Sequence, residues 1–282
     1  MRIITFILLL LSTTSFAQKG QVYQIYTDKG KKVSFEKMVK SLSVKDVVLF
    51  GEFHNNSMGH WLQLEFTKEM HKKRNLVFGA EMFESDNQLG LTNYLEGKSD
   101  EEQLKKEVRL WNNYKTDYRP LVEFAKEKQL QFVATNVPRR YASLLFKQGV
   151  SALDTLGIEE KKWIAPLPFP YDGDLPGYQK MLTMFEDHKD ENLPKAQAIK
   201  DATMAYFISK NRKEADLFVH YNGSYHSNNQ EGIVWYLKQY APDLNVGTIT
   251  MVESDNVEEF DKNNLDLANF IIVIDANILK SF

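Results

Sequence analysis

The 282-residue chain predicts an α/β fold, with a mainly parallel central sheet flanked by helices and a smaller helical lid. Three observations predict it. Six short runs are apolar almost throughout rather than alternating, as strands covered on both faces are. Helical patterns separate them. Polar residues gather just past the ends of the runs, where open α/β sheets bind ligands.

The chain begins MRIITFILLLLSTTSFA (1–17). One cation at Arg2, an apolar run from Ile3 to Leu11 and small residues before Gln18 form the pattern of a cleaved secretory signal peptide. The run is too short to span a bilayer as a stable helix; an uncleaved anchor is the other reading. The expectation is a periplasmic or secreted protein whose mature part, 18–282, is one domain. The chain has no cysteine, which excludes disulfides, thiolate ligation of metal or haem, and lipid attachment through cysteine. The net charge of −3 does not point to nucleic acid.

The first inner strand is DVVLFG (46–51), followed by a helix over GHWLQLEFTKEMHKKR (59–74), whose basic last turn suits a helix C-terminus. NLVFGAEMF (75–83) is the second strand. Residues 85–116 read as helical and polar, a candidate lid. DYRPLVEFAKEKQ (117–129) is a helix and LQFVATNV (130–137) the third strand. Residues 151–194 break the alternation and hold PLPFPYDGDLPGY, with four of the eight prolines. A long structureless loop is uncommon in a compact domain, so this stretch reads either as an insertion over the mouth of the sheet or as a surface loop. A helix over 195–215, a strand ADLFVHYNG (215–223), a helix over 227–240 and strands NVGTITMV (245–252) and NFIIVID (269–275) complete the chain.

The strand ends carry the chemistry. Gly-x-x-His occurs twice, at Gly51–His54 and Gly223–His226, each time after an apolar strand and before a helix. Glycine lets the chain turn sharply and come close to a ligand. Glu52 lies beside the first motif, and Glu81 ends another strand. Histidine with carboxylate can bind a metal, move protons or frame a cofactor pocket. His60 falls in the first turn of the next helix, facing either the same mouth or solvent. Arg139 and Arg140 follow the third strand and suit carboxylates or phosphates, or else form surface ion pairs. Tyr114 and Tyr118, four apart, share a helix face. They either pack the lid onto the body or offer a phenolate to a metal centre, as haem iron accepts.

The segments LFGEFHNNSMGHWLQLEF, GAEMFESDNQ, WNNYKTDYRPLVEFAKEKQLQFVATNVPRR, KDATMAYFI and YNGSYHSNNQEGIVWYL make the chain similar to the ChaN family of haem-binding iron-uptake proteins. That family sits in a superfamily with Tiki proteases, TraB/PrgY proteins and erythromycin esterases. The resemblance covers about residues 40–275. It implies haem bound between two subunits of a homodimer, iron held by a tyrosine with a histidine nearby, and an outer-membrane haem receptor as a partner. Tyr114 and Tyr118 are the candidate ligands, and His54, His60, Arg139, Arg140 and His226 the rest of the pocket. The wider superfamily implies a strand-mouth set of Glu52, His54, Glu81 and His226. In the protease branch such residues hold a divalent metal, here zinc, manganese or cobalt on His54, Glu81 and His226. In the esterase branch the residue matching His54 acts as a base on water. One departure is the missing cysteine, since some members are lipoproteins. The leading expectation is an exported haem-binding protein of iron acquisition. The alternative is a hydrolase, metal-dependent or His-based, and a third is a degenerate member that only binds a partner.

Overall fold

The computed structural model describes residues 20–184 and 191–282; the expected signal peptide (1–17) and His188 lie outside them. In chain order the elements are strands β1 (Tyr23–Thr27) and β2 (Lys32–Val33), helix α1 (Phe35–Leu42), β3 (Val47–Glu52), α2 (Ser57–His71) and β4 (Leu76–Glu84). Then come α3 (Gln88–Leu95), α4 (Glu101–Glu107), a π turn (Tyr114–Tyr118), α5 (Arg119–Glu127), β5 (Gln131–Asn136) and α6 (Arg139–Gln148). The chain ends with α7 (Ile158–Lys161), α8 (Pro176–Met184), α9 (Asn192–Asn211), β6 (Leu217–Gly223), α10 (Ile233–Tyr240), β7 (Val246–Ser254) and β8 (Phe270–Asp275).

All six expected strands form one eight-stranded sheet, ordered β2-β1-β8-β7-β3-β6-β4-β5. The six pair in parallel, and only β1 runs antiparallel, against β8 and β2. Their apolar runs are explained by the layers. Val48 and Phe50 of β3 face one core with Phe66, Leu91, Leu104 and Leu121 from α2 to α5. Val47 and Leu49 face the other core, with Tyr141, Ile199, Ala202 and Ile233 from α6, α9 and α10. Side chains of a strand alternate sides, so a strand covered on both faces is apolar at most positions. Each fully buried Val, Leu or Phe contributes about 1.5–3 kcal/mol.

Both irregular stretches belong to these cores. Leu91, Tyr94, Leu104 and Val108 of the expected lid are buried against the sheet, so 85–116 is body as well as cover. In the 151–194 stretch Leu153, Ile164, Phe169 and Tyr178 are buried with α6 and α9; the surface-loop reading does not hold for them.

The topology makes a crevice. The chain leaves β3 and β4 for the face of α2 to α5, and leaves β6 and β5 for the face of α6 to α10. These four strands are neighbours, in the order β3-β6-β4-β5. Adjacent strands whose connections depart to opposite faces open a crevice outside their carboxyl ends.

Candidate functional site at the mouth of the sheet

Glu52 ends β3 and is buried. The chain then turns through Phe53–Asn56, where the Asn56 side chain caps α2 by accepting the N–H of Gly59 at 2.9 Å. That turn brings His54 back onto Glu52: Nδ1 donates to Oε1 at 2.9 Å. The Tyr118 hydroxyl donates to the same oxygen at 2.8 Å, and Gln63 donates to the other. Burial favours the neutral acid, but His60 and then His54 hold the Glu52 carboxyl below its usual range. Burial likewise opposes a charged His54, and its bond to Glu52, helped by Glu81, pushes it the other way, so its pKa is raised. With Nδ1 committed, His54 Nε2 has no hydrogen-bond partner among the described residues.

Between β3 and β4 runs β6, whose end brings the second motif to the first. Gly223 pairs with Glu52 across the sheet. Its N–H donates to Glu81 Oε2 at 2.7 Å. A register shift in β4 between Ala80 and Glu84 accompanies the placement of Glu81 there. A side-chain carbon on Gly223 would stand 2.8 Å from His54 Nε2 and 3.4 Å from Glu81 Oε2. Only glycine leaves room for both.

His226 follows, 5 % exposed, with Nε2 3.2 Å from Glu81 Oε1 and Nδ1 2.5 Å from Asp201 Oδ1. Tyr178 donates to the other Asp201 oxygen at 2.9 Å. Burial works against the imidazolium, yet Glu81 and Asp201 outweigh it and raise the His226 pKa to about 10. Despite its burial, Glu81 is held far below the usual carboxylate range by His226 and then His54.

The expected residues are thus partly brought together. Glu52, His54, Glu81 and His226 share one mouth. His60 is buried there too, with Nδ1 3.1 Å from Gln63 Oε1 and Nε2 3.1 Å from the His54 carbonyl; the solvent reading of this residue does not hold. As a metal set, His54, Glu81 and His226 are not so arranged: both ring nitrogens of His226 face carboxylates. Among the described residues no three His, Asp or Glu converge to hold a metal ion. His220, inside β6, is a neutral core residue between Thr135 and Asn222, with its pKa lowered to about 4 by burial.

Tyr114 and Tyr118 are placed in the core, 4 % and 2 % exposed. Burial raises both phenols, and Glu52 beside Tyr118 raises that one further. A phenolate is disfavoured at both. The two arginines separate. Arg140 pairs with Asp86 at 2.6 Å and lies over the Tyr141 ring, whereas Arg139 is exposed and forms no ion pair or hydrogen bond among the described residues.

Beside this cluster lies an open cleft of about 690 Å³. It is lined by Glu81 and Asn136 together with the apolar side chains of Trp111, Val137, Phe146, Leu193, Ala196 and Phe282. Arg109, Arg139 and Lys200 also line it. The Trp111 ring packs edge-on against His54, with centroids 4.9 Å apart. Asn136 donates to the Glu81 carbonyl at 2.9 Å, and its own buried oxygen has no partner.

Several participants escaped sequence reasoning: Gln63, Asn113, Asp117, Asp201, Lys200 and Phe282. Asp201 had a readable signal. It interrupts the small apolar positions Ala198, Ile199, Ala202 and Ala205 of one helix, and a carboxylate inside an apolar stripe needs a partner.

Fold and site together define a three-layer α/β protein with a carboxylate–imidazole cluster and an open cleft at its switch point. The chain belongs to the family described as haem-binding uptake, Tiki superfamily, ChaN, whose model matches residues 38–237. Among solved structures it is similar to ChaN of Campylobacter jejuni, described as binding haem cofacially. The identity is 16 %, the match covers 92 % of this chain and 99 % of that one, and the TM-score is 0.65. It is also similar to a protein from Bacillus cereus, at 9 % identity over 88 % of this chain and 93 % of that one, with a TM-score of 0.53. At these identities the likeness is one of fold. A comparison with curated protein sequences finds no match. No helix among the described residues is long and apolar enough to cross a membrane.

Proposed function

We propose that this is an exported haem-binding protein of iron uptake, which carries haem in the cleft at the mouth of its sheet. One observation carries the reading beyond family membership. The cleft pairs apolar walls with two cations, Arg139 and Lys200, that form no ion pair among the described residues, while Arg109 is paired with Glu84; beside them His54 Nε2 has no hydrogen-bond partner among those residues. Haem asks for that chemistry: a flat apolar body against aromatic walls, two carboxylates toward cations, and a nitrogen for iron. Arg139 and Lys200 suit the propionates. His54 suits the iron, because Glu52 holds Nδ1–H and leaves Nε2 as the electron-pair donor, the arrangement that orients metal-binding histidines. Cofacial haem, as described for the Campylobacter protein, fits a pair of copies with their clefts facing. Export rests on the N-terminal sequence pattern.

The test is haemin titration of the purified protein. The expected result is a shifted Soret band that saturates at one haem per chain and changes in His54→Ala. A spectrum that stays that of free haemin overturns the reading.

The Glu52–His54 bond supports a second reading, a His-based hydrolase. A carboxylate-oriented imidazole with a free Nε2 is what a general base on water requires. Ester or peptide hydrolysis that disappears in His54→Ala and persists without haem would favour it.

A further inference from the structure

The segment after β8 folds back over the turn that carries His54. The Leu279 carbonyl accepts the Ser57 hydroxyl at 3.0 Å, Lys280 bridges to Asn56 and pairs with Glu253, and the Ser281 N–H donates to the Asn55 carbonyl at 2.9 Å. The Ser281 hydroxyl donates to Asp117 Oδ2 at 2.5 Å. Asp117 accepts there from Asn113 as well, at 2.6 Å, and Asn113 also donates to the His54 carbonyl at 2.7 Å. Ser281 is therefore linked through Asp117 and Asn113 to the His54 carbonyl, and Leu279 and Lys280 are tied to Ser57, Asn56 and Glu253. At the end of these ties Phe282 lines the cleft, with 70 % of its surface exposed. A large ring that directly follows a hydrogen-bonded segment yet is left mostly uncovered is apolar surface offered to something else.

We propose that residues 279–282 are a strap forming one wall of the cleft. Phe282 is the residue that retains a flat apolar ligand, and the Ser281–Asp117 hydrogen bond is the latch that keeps it there. The inference rests on the haem reading and adds a retention element to it. A ligand seated in the cleft covers the ring. Removing the ring leaves the iron ligand and the cations in place but opens one side. The effect falls on release rather than on the electronic environment of the iron, since interface truncations act mostly through dissociation.

The experiment loads full-length protein with haemin and measures transfer to excess apomyoglobin. Phe282→Ala is expected to release haem on the order of tenfold faster, with an unchanged Soret maximum and an unchanged melting temperature. Ser281→Ala, which cuts the latch and keeps the ring, is expected to speed release less. Release from Phe282→Ala at the wild-type rate overturns the inference alone. So does a shifted Soret maximum in that variant, which would make Phe282 part of the iron's surroundings. Wild-type protein that takes up no haemin overturns the haem reading, and the strap with it.

Discussion

The Glu81 carboxylate accepts the backbone N–H of Gly223 across 142 residues of chain, at 2.7 Å. This contact is where the two halves of the site join. It ties β4 to the end of β6 and sets the Gly223 α-carbon under the His54 ring. The absence of a side chain at Gly223 is therefore a structural requirement of the His54 position.

Gly223→Ala should displace His54. The added carbon would sit 2.8 Å from Nε2, closer than such carbons pack. His54 is about one-third exposed, its side chain at 36 %, so its ring can swing outward at the loss of the Glu52 bond. The expected loss of stability is about 1–3 kcal/mol, as for other overpacked sites, together with a changed Soret band on haemin binding. Urea unfolding and a haemin titration check both. A variant with wild-type values in each would show that the ring has room to spare.

His226 should make stability fall with rising pH. Its pKa is about 10 in the folded protein and 6.5 in the free side chain. A raised pKa means the folded state keeps a proton that the unfolded state has released. The contribution is full below pH 6.5 and is lost as pH rises toward 10. Urea midpoints measured across that window should decline in the wild type, with that part of the slope missing in His226→Gln. At pH 7, His226→Ala should cost about 3–5 kcal/mol, because Glu81 and Asp201 would stay buried without their cation. A loss below about 1 kcal/mol would mean that water, or Gln197 whose amide nitrogen lies 3.0 Å from His226 Nδ1, replaces the imidazolium.

The six parallel strands were legible because both faces of each are largely buried, which makes most positions apolar, His220 and Asn222 of β6 being exceptions. β1 and β2 were not, since YQIYT and KV carry a weaker pattern on an antiparallel edge. The shared mouth of His54, Glu81 and His226 was legible from strand ends. The partners of those residues were less so. Asn113 immediately precedes, and Asp117 lies in, a π turn that no periodicity announces. The roles of Tyr114 and Tyr118 depend on depth: spacing put them on one face, and only packing shows that this face is the core. Phe282 lies beyond the last strand, where a local pattern carries no information about a distant cleft.

Tyr118→Phe separates a structural phenol from an iron ligand. Its hydroxyl is buried and donates to ionised Glu52 at 2.8 Å. Removing it should cost about 1.5–3 kcal/mol, the range for hydrogen bonds to charged groups, while His54 and Gln63 still hold the carboxylate. The haemin-bound spectrum should keep its Soret maximum. Loss of the shifted band in Tyr118→Phe, with the fold intact by circular dichroism, would instead place this phenol on the iron.

Arg139 and Arg140 should differ, although they are neighbours. Arg139 lines the cleft and forms no ion pair among the described residues, so Arg139→Ala should leave stability within about 0.5 kcal/mol, as exposed substitutions do. Haemin affinity should fall about tenfold, equivalent to about 1.4 kcal/mol for one propionate contact. Arg140 is held by Asp86 and lies over Tyr141, and it is not among the residues that line the cleft. Arg140→Ala should lower the melting temperature slightly and leave haemin affinity near the wild-type value. Raising the ionic strength should weaken haemin binding in the wild type more than in Arg139→Ala, because screening acts on the charge the variant lacks. Equal affinities for the wild type and Arg139→Ala at low salt would assign the propionates elsewhere on the cleft rim, with Arg109 and Lys200 the remaining cations there.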